Sequence, residues 1–383
     1  MYVYDLNCEW TSHSIALREF KVTTQEQIDE IERAGIKELY IDSSRGVDVD
    51  EPAPKHSSEL PKPAKQYQTK PLLEERENAA SVRNEAVKMM VSIMEDVRLG
   101  KPLHIDGVAA VVDDMADSIM SNRDASLGLI CIKKMDQYTV EHSVNVSILL
   151  MAFEKSLVLD IDELRQLGMG GLLLDIGKAM VPLHLLNKPA HLTAKELVIA
   201  QKHVNYGLEI LRDTPGISKV ALQIVAEHHE RVDGSGYPES IAGDGISIYG
   251  QMAAIADAYD ALTANRVYQR SVPPHAALNK LMQAPKLFNQ ALVQQFIHGI
   301  GIYPIGSLVV LSNGCFAVVV ESNKGKLLLP RICIIFDSIR RKYLQPKNVD
   351  LANQNDEDKA TIISAVDPVK WGIKPDSYLT HIK

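Results

Sequence analysis

The sequence predicts a mainly α protein, in which an all-helical domain is preceded by a small α/β module and followed by a small β-rich appendage. Three observations carry that expectation. Apolar residues recur at spacings of three and four from Leu72 to about Gly301, the pattern changes to alternation after Ile302, and a Pro-, Ser- and charge-rich run isolates the N-terminal segment.

Composition bounds what such a chain can do. Its 383 residues leave room for two or three domains, and an apolar share of 46% is enough to bury a core in each. The formal net charge of −8 argues against a nucleic-acid polymer as partner, since such binders neutralise phosphates with an excess of Lys and Arg. A small anionic ligand, which needs only local cations, stays allowed. Cys8, Cys131, Cys315 and Cys333 are scattered without a CxxC pair, as expected of reduced thiols. The start MYVYDLNCEW lacks a basic region followed by an apolar stretch, and no apolar run reaches the roughly 18 residues of a membrane span. The expectation is a cytoplasmic protein with no membrane segment.

Residues 1–49 hold short apolar runs around QEQIDEIERAGI, in which Ile28, Ile31 and Ile36 mark one helix face and Gly35 a stop. Residues 50–71 are nearly free of apolar side chains and read as a flexible linker. Residues 72–101 contain a long amphipathic helix, with Val82, Ala86, Met89, Ile93 and Val97 on one stripe. That helix could be the first core helix, a homodimer seam or a rod that transmits a signal, with the core as the default. Residues 102–302 form the helical domain. Residues 303–383 are the β region, where SLVVLSNGCFAVVVES reads as a hairpin whose Asn313-Gly314 turn would need positive φ at both central positions. KLLLPRICIIFD adds strand-like segments, and a polar stretch near Asn353 to Asp358 precedes a short tail.

Chemistry concentrates in AEHHERVDGSGYP, Ala226 to Pro238, where two adjacent histidines precede a glycine-rich turn. Neighbouring helical side chains diverge by about 100°, so His228 and His229 can reach one point only at a helix end, or else serve two ions. His142, Asp175, Lys178, His203 and Asp257 each interrupt an apolar helical face, where an unpaired charge would be costly. Any one of them alone is most simply a hydrogen-bonded core residue. Together, imidazoles and carboxylates on successive helices suit a divalent transition metal such as Fe, Mn, Ni or Zn.

On these residues the chain resembles the HD-GYP phosphodiesterases, relatives of the HD metal-dependent hydrolases that cleave cyclic di-GMP. The likeness runs from about Tyr138 to Phe296, through YTVEHS with His142, LDIGK with Asp175 and Lys178, VPLHLLNKPAHLT, KHVNYG with His203, HHERVDGSGYP, and ADAYDALTANRVY with Asp257, Arg266 and Tyr268. The segment before the linker also resembles a small domain that often precedes these modules. The resemblance implies an HD-type helical fold and metal-assisted in-line attack of water on phosphorus, with two ions about 4 Å apart. It assigns one ion to His203, His228 and His229 with Asp175 bridging. The other would take His142, Asp175, Asp257 and the histidine of the HD pair. Lys178 would meet a phosphate oxygen and the leaving group, Arg266 the other phosphate, and Gly236, Tyr237 and Pro238 the nucleotide pocket.

The chain departs from this pattern at Leu174, which stands where the histidine before Asp175 belongs and cannot coordinate a metal. Gln269 replaces a residue that is often basic, and Tyr138 is not the glutamate expected of a third ion. His184 is too far along the connecting segment to be a good substitute. The expectation is therefore a degenerate site with one firmly held ion, two being the alternative, that binds metal and cyclic di-GMP with weak or no turnover. An active phosphodiesterase giving pGpG or GMP is the second reading, and a partner-binding domain without nucleotide the third.

Overall fold

A computed structural model describes residues 2–5, 20–21, 40–41, 69–131, 138–155, 160–264, 271–323, 326–354 and 359–379. Two compact units divide the chain, Met1–Lys65 and Gln66–Lys383. In the first, β1 (Tyr2–Asp5) pairs antiparallel with both β2 (Phe20–Lys21) and β3 (Tyr40–Ile41). The helix expected at Gln25–Ile36 and nearly all of the expected linker lie outside the described residues.

The second unit opens with α1 (Leu72–Arg98). Its apolar stripe is taken up by the chain's own core, with Ala79, Ala86, Met90 and Val97 buried. Gly100, at φ +71°, takes the left-handed conformation just past the helix and donates its N–H to the Val97 carbonyl, a stop few other residues would accept. α2 (Ile105–Ile130) packs against α1 and is kinked at Asn122, whose side chain donates to the Lys70 carbonyl.

α3 (Tyr138–Lys155) is the central helix, contacted by α1, α2, α4 (Ile161–Leu173), α9 (Ile248–Thr263) and α11 (Gln290–Ile300). Its run from Val144 to Phe153 is buried all round, as a helix covered on every side requires. Between α4 and α9 the chain makes a tight turn at Ile176–Met180, the short α5 (Leu183–Leu186), then α6 (Ala194–Gln201), α7 (His203–Arg212) and α8 (Lys219–Glu227). α6 starts on a capping box of Thr193 and Glu196, and α8 on Ser218, whose hydroxyl accepts the Ala221 N–H. α10 (Pro274–Met282) leads into α11.

The period-2 segments form one antiparallel sheet in the order β7-β6-β5-β4-β8, from β4 (Leu308–Leu311), β5 (Cys315–Glu321), β6 (Arg331–Asp337), β7 (Lys342–Asp350) and β8 (Ile362–Ala365). Alternation sends Leu308, Phe316, Val318, Cys333 and Ile335 into the core shared with the helices. Val309, Ala317, Val319 and Ile332 go to a second cluster on the opposite face, and α12 (Asp376–Leu379) closes the unit.

Two details of the β region differ from expectation. Of the hairpin pair only Gly314 has positive φ, at +78°. Gly314 N–H bonds to the Leu311 carbonyl and Asn313 accepts the Cys315 N–H, so the loop is a longer turn ending in a left-handed glycine rather than a two-residue one. Lys326–Leu329 is a turn, because Pro330 has no N–H to give a ladder and the strand begins only at Arg331. Among the described residues, Cys131, Cys315 and Cys333 form no disulfide. No helix among the described residues is long and apolar enough to cross a membrane.

Candidate metal and nucleotide site

Four elements bring the polar residues together at one end of the central helix. His142 sits near the start of α3, Asp175 caps the Ile176–Met180 turn, and His203 begins α7. His228 caps the C-terminus of α8, so the helix ends there and releases His229 from the helical spacing. This is how two adjacent histidines face one centre.

Glycine makes the approach possible. A Cβ on Gly177 would fall within 1.9 Å of the His203 carbonyl oxygen and 2.4 Å of the Gly207 nitrogen. Only a glycine lets the turn lie that closely on α7, which sets Asp175 beside His203. Gly236 is pressed in the same way, its absent Cβ 2.4 Å from Glu230 Cα and 2.6 Å from the His229 oxygen. The crowding at Gly236 is thus backbone against backbone.

Ligand atoms from Asp175, His203, His228 and His229 all lie within 4.8 Å of one another. Asp175 Oδ1 is 3.3 Å from His203 Nε2 and 3.9 Å from His228 Nε2. Atoms that each sit about 2.1 Å from a shared ion are separated by roughly 3 to 4 Å. The arrangement therefore fits one ion with little movement. Asp175 Oδ1, His203 Nε2 and His228 Nε2 are moreover buried with no hydrogen-bond partner. Three orphaned polar atoms aimed at one point are a costly arrangement in a fold that leaves few such atoms unsatisfied.

The surroundings prepare the ligands. His203 Nδ1 donates to the Ala200 carbonyl at 2.8 Å, and His228 Nδ1 to the Val225 carbonyl at 3.0 Å. Each bond places the ring proton on Nδ1 and turns the Nε2 lone pair inward. Burial lowers the pKa of His203 to about 4 against the opposing pull of Asp175. Burial also lowers those of His228 and His229, so all three are neutral at pH 7. Burial pushes the Asp175 carboxyl up, but Lys178 and the nearby histidines outweigh it and hold the group ionised. Lys178 Nζ holds Asp175 Oδ2 at 2.5 Å and leaves Oδ1 for the histidines.

His142 and Asp257 form the other half. His142 Nε2 bonds to Asp257 Oδ1 at 2.9 Å, while Nδ1 bonds to Asp260 Oδ2 at 2.7 Å. Asp175 Oδ2 is farther away, 3.8 Å from His142 Nε2. Burial would depress His142, but the bonds to Asp257 and Asp260 raise it to about 9. In the metal-free protein its ring is a cation with both nitrogens engaged. Leu174 is fully buried in the apolar core. His184 is exposed on α5 and outside the cluster.

A pH effect follows from His142. Its pKa is about 9 in the folded state, above the roughly 6.5 of an unfolded chain, so it contributes stability that is complete below about pH 6.5. That contribution is lost as pH rises through about 9. Chelator-treated protein should show a falling Tm across this window, and His142→Gln should flatten the fall. An equally steep fall in the variant would refute the assignment.

The residues border a cavity of about 650 Å³, within the range of small-molecule sites. Lys178, His142, His203, His229, Asp257 and Tyr237 line its polar side, and Leu186, Leu197, Leu281, Leu287 and Phe288 its apolar side. Tyr237 stacks on His229 with ring centres 4.5 Å apart. Gly236 and Pro238 shape the loop without lining the cavity. Arg266, Tyr268 and Gln269 lie outside the described residues.

Sequence reading missed four contributors. Asp260 fixes His142, and Asn145 donates to Asp260 Oδ1 at 3.1 Å; the i, i+3 spacings Asp257–Asp260 and His142–Asn145 were the available signal. Glu230 is buried and accepts the N–H groups of Glu239 and Ile241, which ties down the GSGYP loop. Arg231 lines the cavity, donates to the Glu230 carbonyl and lies over Phe288.

Comparison with known proteins gives the family of the chain. Residues 129–290 match the HD domain family. Over 368 residues the chain is 32% identical to cyclic di-GMP phosphodiesterase PA4108 of Pseudomonas aeruginosa, covering 94% of this chain and 88% of that protein. The chain belongs to the HD-GYP family. Flanking HD-GYP residues 129–290, residues 1–108 match a domain of unknown function and residues 308–371 a KOW domain associated with HD domains. A shorter likeness, 45% identity over 122 residues, links it to 3'3'-cGAMP-specific phosphodiesterase 2 of Vibrio cholerae, covering 31% of this chain and 23% of that one. Among solved structures, Bd1817, an HDG"Y"P protein from Bdellovibrio bacteriovorus, aligns with TM-score 0.46 at 20% identity over 62% of this chain and 73% of that chain.

Proposed function

We propose that this HD-GYP protein holds one divalent transition metal ion on Asp175, His203, His228 and His229, and binds cyclic di-GMP with weak or no turnover. The observation that carries this reading is the asymmetry of the site. On one side, three buried ligand atoms have no partner; on the other, His142 Nε2 is engaged by Asp257 and the neighbouring position is Leu174. The ion, when bound, supplies Lewis-acid neutralisation of phosphate charge. Lys178, which lines the cavity and holds Asp175, would donate to a phosphate oxygen, and Arg231 and Lys280 add positive charge along the cavity. The apolar wall from Leu281 to Phe288 suits a purine face.

An active phosphodiesterase is the second reading, favoured by the 32% identity to a named cyclic di-GMP phosphodiesterase over 94% of the chain. Equilibrium binding and hydrolysis of cyclic di-GMP, each measured with Mn²⁺ or Fe²⁺, separate the two. The proposal expects saturable binding with at most slow appearance of pGpG or GMP. Rapid turnover favours the second reading, and failure to bind the nucleotide in any metal contradicts both. The 3'3'-cGAMP nucleotide belongs in the same assay, since a relative is named for it.

A further inference from the structure

The helix α1 touches the site without lining it. Arg83, on α1, has its side chain only 10% exposed beside Glu141, 3.7 Å away. Its Nη2 donates to Asn145 Oδ1 at 3.3 Å. Asn145 Nδ2 donates in turn to Asp260 Oδ1 at 3.1 Å, and Asp260 Oδ2 holds His142 Nδ1 at 2.7 Å. The chain of contacts ends on Asp257, 2.9 Å from His142 Nε2. Asn145, Asp260 and His142 are buried, so water does not compete for these bonds and each fixes the next. Farther along α1, Arg98 Nε reaches the carbonyl of Ala179, on the turn that carries Lys178.

We propose that Arg83 is a positioning residue for His142 and Asp257, acting through Asn145 and Asp260, so that displacement of α1 loosens that side of the site. The inference goes beyond the one-ion reading and does not need it. Asn145 presents its amide nitrogen to the Asp260 carboxylate while Arg83 donates to its oxygen, so the amide is held at both ends. Asp260, once held at both oxygens, leaves His142 one orientation.

The test uses the full chain labelled with ¹⁵N at histidine and stripped with EDTA. The His142 Nδ1–H resonance, identified by its loss in His142→Gln, is expected well downfield because it donates to a buried carboxylate. Arg83→Met and Asn145→Ala should each move it upfield. Arg76→Met, which removes an α1 contact to the Leu379 carbonyl, should leave it in place and so controls for general loosening of the helix. A second measurement takes Mn²⁺ as probe: because Asp257 Oδ2 lies 3.7 Å from Nδ1 of the ligand His229, each of the two variants should weaken binding about 3- to 10-fold, and the double variant no more than the weaker-binding single. An unmoved resonance in Arg83→Met, or losses that multiply in the double variant, overturns the proposal. Absence of Mn²⁺ binding in every form would count against the metal reading alone, and the resonance would still decide the role of Arg83.

Discussion

Leu174→His is expected to raise hydrolysis of cyclic di-GMP by about 10- to 100-fold, the range by which one supporting group changes a metal site. The position is fully buried and directly precedes Asp175, and the family resemblance makes an imidazole there a ligand of the second ion. His142 and Asp257, now bonded to each other, are the residues that would hold a second ion, which would favour the neutral His142 imidazole. Without metal the new imidazole is a buried polar group lacking partners, a cost of about 1–3 kcal/mol. The variant should therefore be less stable than the parent in EDTA and recover in Mn²⁺. Unchanged turnover together with an unchanged ion count would show that Leu174 is not what limits the site.

His203→Ala should have an effect at least as large, on metal affinity rather than on turnover. The ring is neutral, with its pKa lowered by burial to about 4, so its removal strands no charge and the metal-free fold should survive. A direct ligand is lost, however, and metal affinity should fall by at least the roughly 100-fold that an outer partner can cost. Thermal shift makes this visible. At 100 times its Kd an ion bound only to the native state stabilises by about 2.7 kcal/mol, and the variant should forfeit nearly all of that at the same Mn²⁺ concentration. A metal-induced rise in Tm equal to that of the parent would place the ion elsewhere.

Much of this was legible in the residues. The helical domain and the β region followed from the change of period near Ile302, and polar residues breaking apolar faces pointed to Asp175, His203 and His228, which the structure brings together with His229, and to His142 and Asp257, which it pairs beside them. The adjacency of His228 and His229 required a helix end or two ions, and a helix end is what the structure supplies. The supporting residues were less visible because their roles are set by tertiary contact. Asp260 reads locally as one more polar residue of α9, and only the packing of α3 against α9 shows that it grips His142. Asn145 and Arg83 are farther still from any local pattern, joined to the site across separate helices. The hairpin illustrates a smaller limit. Asn-Gly marks a turn, but the pairing of Val310 with Phe316 selects a longer loop than the dipeptide alone implies.

We infer that this HD-GYP module holds one competent metal position rather than two. Elemental analysis of the full chain, saturated with Mn²⁺ or Fe²⁺ and freed of excess ion, measures it directly. One ion per chain is expected, lost in His203→Ala and rising to two in Leu174→His. Two ions per unmodified chain, or one that survives His203→Ala, would contradict it.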